Sequence, residues 1–212
     1  MSERAMNEED SVSLTIGTAA EMRALGRSLA TALRAGDLVI LSGGLGAGKT
    51  TLTQGIGAGL GVRGPVTSPT FVIARVHPPS AAAITAGPGD AVAGDVMAGL
   101  AAPRPSLVHA DAYRLGSALE LDDLDLDTDT ASSVTVVEWG EGMAEGLAAD
   151  RLEIAIAADP PAADTPAADT PAGQAGEIAD PAADMPRTVR ISMVGARWEG
   201  VELPLAGLAD RL

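Results

Sequence analysis

The clearest chemistry in the chain lies in a glycine-rich run that contains its only lysine. The run reads Gly-Gly-Leu-Gly-Ala-Gly-Lys-Thr over residues 43–50 and fits the phosphate-loop pattern G-x-x-x-x-G-K-S/T. In such a loop the backbone N–H groups surround phosphate oxygens, the lysine reaches the β- and γ-phosphates, and the last hydroxyl binds Mg²⁺. The alternative is a glycine-rich turn that binds nothing. Because a compact ammonium suits a tight phosphate site and every other basic side chain is arginine, we predict nucleotide binding through Lys49 and Thr50.

Two acidic residues end apolar runs that are typical of buried strands. Asp111 ends the run from Leu107, and Glu138 ends the run from Val134. Ligands gather at the carboxyl ends of strands in open parallel sheets, so one carboxylate could hold Mg²⁺ while the other orients the attacking water or the hydration shell of the metal. The spacing does not assign the two roles. Each residue also has an ordinary explanation, a helix cap or turn for Asp111 and a solvated strand end for Glu138.

His109 lies two positions before Asp111 and therefore shares its face of the predicted strand. It could orient a carboxylate or remain a neutral core imidazole. His77 starts a low-complexity segment, and we assign it no role.

A Ser-Pro-Thr turn, Ser68 to Thr70, follows the predicted phosphate-loop helix. It occupies the place of a switch loop, in which Ser68 or Thr70 could meet phosphate or metal. The alternative is ordinary turn chemistry, because Pro69 fixes its own φ and restricts its neighbour.

A run of five aspartates follows further along the chain. It lacks the glycine and the final glutamate of an EF-hand, so we interpret it as a solvated acidic loop or a partner-facing surface. Its members are Asp122, Asp123, Asp125, Asp127 and Asp129.

The surrounding elements alternate between helix and strand. A capping-box spacing at Thr18 and apolar residues on one helical face predict a helix over 18–34 that stops at Gly36. A second helix is predicted over 49–60. Strands are predicted over 37–42, 70–76, 106–113, 133–139, 151–157 and 188–194. This order predicts an α/β fold of the P-loop NTPase type, with three layers, a mainly parallel central sheet and added antiparallel strands among the later ones.

Two segments, 77–106 and 159–186, hold most of the 14 prolines and are otherwise mostly Ala, Gly and Asp. We predict that both are disordered insertions, because such a composition cannot bury a core. The rest of residues 1–212 then forms a single P-loop domain.

Composition excludes several classes of protein. The absence of cysteine rules out disulfide scaffolds, Cys-based zinc sites and cysteine nucleophiles, and no structural metal is expected. The net charge of −15 argues against a surface that follows nucleic-acid phosphates. No apolar run is long enough to cross a bilayer, and the first residues lack a secretory pattern, so we expect a cytoplasmic protein without a membrane partner.

Five motifs in order resemble the TsaE family: LSGGLGAGKTTLTQGIGAGLGV, VTSPTFVI, LVHADAYRL, ELDDLDLD and VTVVEWGEG. The resemblance implies a small ATPase, with ATP and Mg²⁺ as cofactors, that acts in threonylcarbamoyladenosine modification of ANN-decoding tRNAs. It implies docking on the TsaB–TsaD heterodimer, no direct tRNA binding, and slow hydrolysis that the partner accelerates.

The resemblance also implies the site residues. Lys49, Asp111 and Glu138 would be catalytic, and Thr50, Glu138 and Asp111 would bind the metal. The switch-like segment would contribute Thr70 to nucleotide binding. The adenine would lie between the segment near Thr18 and the late strand region near Arg187. The nucleotide would contact Leu45, Gly46, Ala47, Gly48, Lys49, Thr50 and Thr51. Gly44 replaces an acidic residue common in the family, and the two insertions leave the partner contacts and the C-terminal part of the pocket open.

Two other classes of function remain. In a small-molecule kinase, Asp111 would act as a base for an acceptor hydroxyl. In a nucleotide-dependent interaction module without turnover, Asp111 and Glu138 would be dispensable for chemistry.

Overall fold

A seven-stranded sheet with two α-helices forms the body of the protein. The computed structural model describes residues 11–69, 72–80, 104–115, 117, 120, 132–158 and 185–205. The elements are β1 (Ser11–Ile16), α1 (Ala19–Ala30), β2 (Leu38–Gly43), α2 (Lys49–Leu60), β3 (Ala74–His77), β4 (Ser106–Asp111), β5 (Ser133–Glu138), β6 (Arg151–Ala158) and β7 (Arg187–Val194).

The strand order is β1-β7-β6-β2-β5-β4-β3. The four central strands, β6, β2, β5 and β4, pair in parallel, while β7, β1 and β3 join the edges by antiparallel pairing. The predicted α/β fold with a mainly parallel centre and added antiparallel strands is therefore confirmed. Among the later strands, β7 is an antiparallel addition, whereas β6 belongs to the parallel centre.

The two faces of the sheet are covered differently. Val39 and Leu41 of β2 belong to the core beneath α1 and α2, while Leu38 and Ile40 point to the other face. In the described part of the chain that second face is covered by residues 139–148, which include the 3₁₀ turn Glu145–Leu147, and not by an α-helix. Both described helices therefore lie on the side of the sheet that carries the phosphate loop.

Helix α1 begins at the predicted cap but ends earlier than predicted. The Thr18 hydroxyl accepts from the Glu21 N–H at 3.1 Å, and the Glu21 carboxylate accepts from the Thr18 N–H at 3.2 Å. The helix ends at Ala30 rather than at residue 34. Leu33 lies beyond the end of the helix yet is still buried. The apolar spacing therefore continues past the last helical turn, and this is why the sequence predicted a longer helix.

Helices α1 and α2 approach closely because glycines lie at their contact. A Cβ on Gly26 would stand 2.4 Å from the carbonyl oxygen of Leu52. Without that side chain the backbones come together, and α2 is held firmly against both α1 and the sheet.

Strand β1 is absent from the sequence-based prediction, and β3 starts later than predicted. Val72 and Ile73 form a turn in which both N–H groups donate to the Pro69 carbonyl, and the strand begins at Ala74. The predicted Thr70 and its neighbour at 71 lie outside the described residues. The ends of β4 and β5, at Asp111 and Glu138, differ from the predicted ends by one or two residues.

The first low-complexity segment has narrower bounds than predicted. His77 is the buried last residue of β3, and Ser106 is the first residue of β4. Residues 81–103, 121–131, which contain the five aspartates, and 159–184 are outside the described part of the chain. Neither described helix is long and apolar enough to span a membrane.

We expect Gly26→Ala to lower the free energy of unfolding by about 1–3 kcal/mol, because the new methyl group meets backbone that cannot rotate away. Gly146→Ala is the matched control, since a Cβ there meets nothing within 4 Å. Urea unfolding followed by circular dichroism measures both. Equal stability of the two variants would show that the helices do not need this close approach.

Candidate nucleotide site

The phosphate loop connects β2 to α2 as the sequence predicts. Gly48 caps the helix with a φ of 109°, a left-handed conformation that favours glycine. Leu45 lies at the exposed tip of the loop, and Ala47 is buried. The first N–H groups of a helix lack intrahelical acceptors, so the start of α2, including Thr50 and Thr51, offers donors for phosphate oxygens.

Lys49 is folded back onto its own loop. Its Nζ donates to the carbonyl oxygens of Gly43 at 2.8 Å and Gly44 at 2.9 Å, and it lies 3.6 Å from the centre of the Trp139 ring. Burial lowers the pKa of the Lys49 ammonium below its usual range, and the nearby Glu138 and Asp111 carboxylates oppose that shift. Lys49 and both predicted carboxylates therefore share one electrostatic environment.

Glu138 connects three elements at the end of β5. Its Oε2 accepts from the Thr50 hydroxyl of α2 at 3.1 Å, and its Oε1 lies 2.8 Å from Nε2 of His109 on β4. A carboxylate can only accept, so the imidazole Nε2 carries the proton in this contact. The His109 and Glu138 side chains share the face of the sheet that α2 covers. His109 is fully buried, and it contacts the carboxylate of Glu138 rather than that of Asp111 on its own strand. This contact is common to the two roles that the sequence left open.

Asp111 lies beside Glu138 because the parallel register of β4 and β5 pairs the two residues. Its Oδ1 accepts from the Tyr113 N–H at 2.9 Å, as in an Asx turn. Its Oδ2 accepts from the Ser68 hydroxyl at 3.4 Å. The switch-like segment thus reaches a carboxylate of the site through Ser68, while Thr70 lies outside the described residues.

The two residues expected near the adenine lie at the same end of the sheet. The residue pairing of β1 and β7 sets Ile16 opposite Arg187, and Thr18 follows two positions later. The buried Arg187 side chain reaches the carbonyl of Gly46 at 3.5 Å, so it packs against the phosphate loop. The Thr18 hydroxyl caps α1.

Sequence reasoning gave Trp139 no role of its own. Its φ of 60° is unusual for a large residue and turns its ring under Lys49, where Tyr113 packs against it at 5.1 Å between ring centres. Its position directly after Glu138 was the available signal.

The donor set fits a magnesium ion. A hydroxyl and one or two carboxylates are the hard oxygen ligands that Mg²⁺ takes from proteins, with nucleotide phosphates and water completing the octahedron. Thr50 and Glu138 already meet at 3.1 Å. Within the described residues, no group of three or more His, Asp or Glu side chains forms a separate metal site.

We expect His109→Leu to destabilise the protein by about 1–3 kcal/mol, because the buried Glu138 carboxylate loses a donor. His109→Gln is the control, since its amide nitrogen can replace Nε2. Urea unfolding and titration of magnesium–nucleotide binding should both show greater loss in the leucine variant. Equal effects of the two changes would mean that the hydrogen bond does not matter.

We expect the stability of the protein to depend on pH through His77. Burial, with contributions from His109 and Arg75, lowers the pKa of His77, so the unfolded chain binds this proton more readily. Its contribution is complete above about pH 6.5, the unfolded value, and is lost as the pH falls toward the folded pKa. In His77→Gln we expect unfolding free energies between pH 7.5 and 5.5 to change less steeply than in the wild type; identical slopes would contradict this assignment.

Comparison with known proteins identifies a family model and several relatives that match the chain. The family model "Threonylcarbamoyl adenosine biosynthesis protein TsaE" matches residues 16–86 and 96–164. A relative in Streptomyces coelicolor, named tRNA threonylcarbamoyladenosine biosynthesis protein TsaE, is 50% identical over 188 residues, which cover 88% of this chain and 100% of the relative. A Bacillus subtilis protein of the same name is 34% identical over 64% of this chain and 71% of its own length.

A solved structure agrees with the fold. The crystal structure of Bacillus subtilis YdiB matches with a TM-score of 0.55 and 26% identity over 89% of each chain. Since the family model covers more than half of the chain and the Streptomyces relative is matched over its whole length, the chain belongs to the TsaE family of P-loop proteins.

Proposed function

We propose that this chain is a Mg²⁺-dependent ATPase that acts in the cytoplasm on a TsaB–TsaD complex and resets it between rounds of tRNA threonylcarbamoyladenosine modification. The contact between Thr50 and Glu138 carries the proposal, because it brings the hydroxyl that would bind the metal to a carboxylate that acts electrostatically on Lys49, the lysine that would bind the phosphates. The names of the relatives support the pathway. The tRNA would be held by the partner subunits.

Lys49 and the start of α2 would bind the phosphates. The ammonium now donates to two loop carbonyls, and phosphate oxygens are stronger acceptors because they are charged. Leu45, Gly46, Ala47, Gly48 and Thr51 would surround the same phosphates through their backbone. Thr18 and Arg187 would lie toward the adenine.

The two carboxylates would have different roles. Glu138 bonds to Thr50, so we assign it to the metal, directly or through water. Asp111 bonds to Ser68, so we assign it to the attacking water or the hydration shell of the metal, where movement of residues 67–69 would change its position. Mg²⁺ bound at Thr50 would neutralise charge on the β- and γ-phosphates.

We expect slow intrinsic hydrolysis because the arginine at the phosphate loop is held by the loop itself. Among the described arginines, Arg187 contacts the loop, and its guanidinium group donates to the Gly46 carbonyl. An arginine supplied in trans to the transferred phosphate is worth roughly 10³–10⁵ in rate. We therefore expect the partner complex to accelerate turnover.

Phosphate release from ATP and Mg²⁺, measured with and without the TsaB–TsaD pair, tests this function. We expect slow release by the protein alone, a clear rise with the pair, and none with Lys49→Ala. Glu138→Gln and Asp111→Asn should each lower kcat by about 10²-fold or more, because each removes a charge aimed at the reacting phosphate or its metal. Glu199→Gln changes an exposed carboxylate away from the site and should act as wild type.

Fast hydrolysis by the protein alone, or no change on adding the pair, would contradict the proposal. Full function of Asp111→Asn and Glu138→Gln would instead indicate an interaction module without turnover. A phosphorylated small molecule among the products would indicate a kinase.

A further inference from the structure

The negative charge of the chain is unevenly distributed. The whole sequence has a net charge of −15, but the described residues include twelve basic and eleven acidic side chains, a formal charge of +1. The net charge of the whole chain therefore does not describe the surface that the described residues form.

Four arginines lie on the helix-bearing side of the sheet, and we call them the arginine surface: Arg23, Arg27, Arg75 and Arg104. Arg23 and Arg27 are exposed on α1, one helical turn apart. Arg75 stands opposite His109 in the antiparallel register of β3 and β4, so it points to the same side as the helices.

Contacts over α2 link these arginines. Arg23 Nε donates to the Gln54 side chain at 3.2 Å, and Gln54 Nε2 donates to the Val66 carbonyl at 3.3 Å. Arg75 Nη1 donates to the Thr67 hydroxyl, next along the chain, at 3.2 Å. At the other end of α2, Gly59 packs on the backbone of Arg27, and its carbonyl lies 3.5 Å from Arg104.

Among the described residues, the guanidinium groups of the arginine surface lack a carboxylate partner. Arg34, Arg151 and Arg197 pair with carboxylates, whereas no member of the arginine surface makes an ion pair within the described residues. Three of them are nevertheless held by neutral acceptors. No carboxylate of the described residues compensates their charge, and the side chains of these three are already partly ordered, which lowers the entropy lost on binding an anion.

We propose that the arginine surface docks an acidic surface of a protein partner. Under the proposed function, on which this inference rests, that partner is the TsaB–TsaD pair. Arginine is enriched in protein interfaces, and its planar guanidinium group can donate two parallel hydrogen bonds to one carboxylate.

A protein fits this surface better than RNA does. Residues outside the described part carry the whole net negative charge of the chain, and a polyanion such as tRNA would be repelled by it over its full length. A local acidic patch on a protein carries less negative charge than tRNA does, so this repulsion is weaker for a protein partner.

The location also connects docking to hydrolysis. Thr67, which holds Arg75, is adjacent to Ser68, which holds Asp111. A partner carboxylate that draws Arg75 away from Thr67 would release one hydrogen bond on the switch-like segment and so change the position of Asp111.

Binding of the full-length chain to an immobilised TsaB–TsaD pair, with ATP and Mg²⁺, tests the inference. We expect Arg23→Glu, Arg27→Glu and Arg75→Glu each to raise Kd by about tenfold, with weaker salt dependence than the wild type. Arg190→Glu is the matched control, since it reverses an exposed arginine on β7. The Arg23, Arg27 and Arg190 variants should retain basal ATP hydrolysis, all variants should keep the wild-type urea midpoint, and Arg→Gln versions replace any that do not.

Wild-type affinity in all three reversals would overturn the docking surface and leave the proposed function intact. If the wild type itself fails to bind the pair, the proposed function falls and this inference with it. If the three reversals abolish binding of tRNA to the free chain but leave the affinity for the pair unchanged, the arginines form an RNA-binding surface, and the proposal is also overturned.

Discussion

The site depends on one buried carboxylate that must be satisfied by neighbours from other elements. Glu138 is almost fully buried, and an ionised group in that environment is costly unless hydrogen bonds compensate it. His109 on β4 and Thr50 on α2 supply the donors. Because these three elements must align for both bonds to form, the interaction that stabilises the carboxylate also fixes the start of α2 over the strand ends.

The sheet and the helices make this alignment possible. Parallel pairing of β4 with β5 sets Asp111 beside Glu138, and the close approach of α1 to α2 at Gly26 holds the phosphate-loop helix in place. The same end of the sheet also receives Ser68 from the switch-like segment and Trp139 beneath the lysine. Stability and chemistry thus share one set of contacts.

The sequence predicted what local rules determine. The glycine pattern and its lone lysine located the phosphate loop, the capping box located the start of α1, and the apolar runs located Asp111 and Glu138 at strand ends. The sequence did not predict contacts between residues that are far apart in the chain. The bond between His109 and Glu138 depends on strand order, and the burial of His77 depends on β3 pairing with β4. Net charge hid the arginine surface, because most acidic residues lie outside the described part of the chain.

The most direct test of the central claim is the position of the metal. Crystals grown with Mn²⁺ and a non-hydrolysable ATP analogue would show that position by anomalous scattering. The account predicts a peak about 2.1 Å from the Thr50 hydroxyl oxygen, on the side of the Glu138 carboxylate, and no such peak in Thr50→Val. A metal bound away from Thr50, or retained unchanged in that variant, would contradict the account.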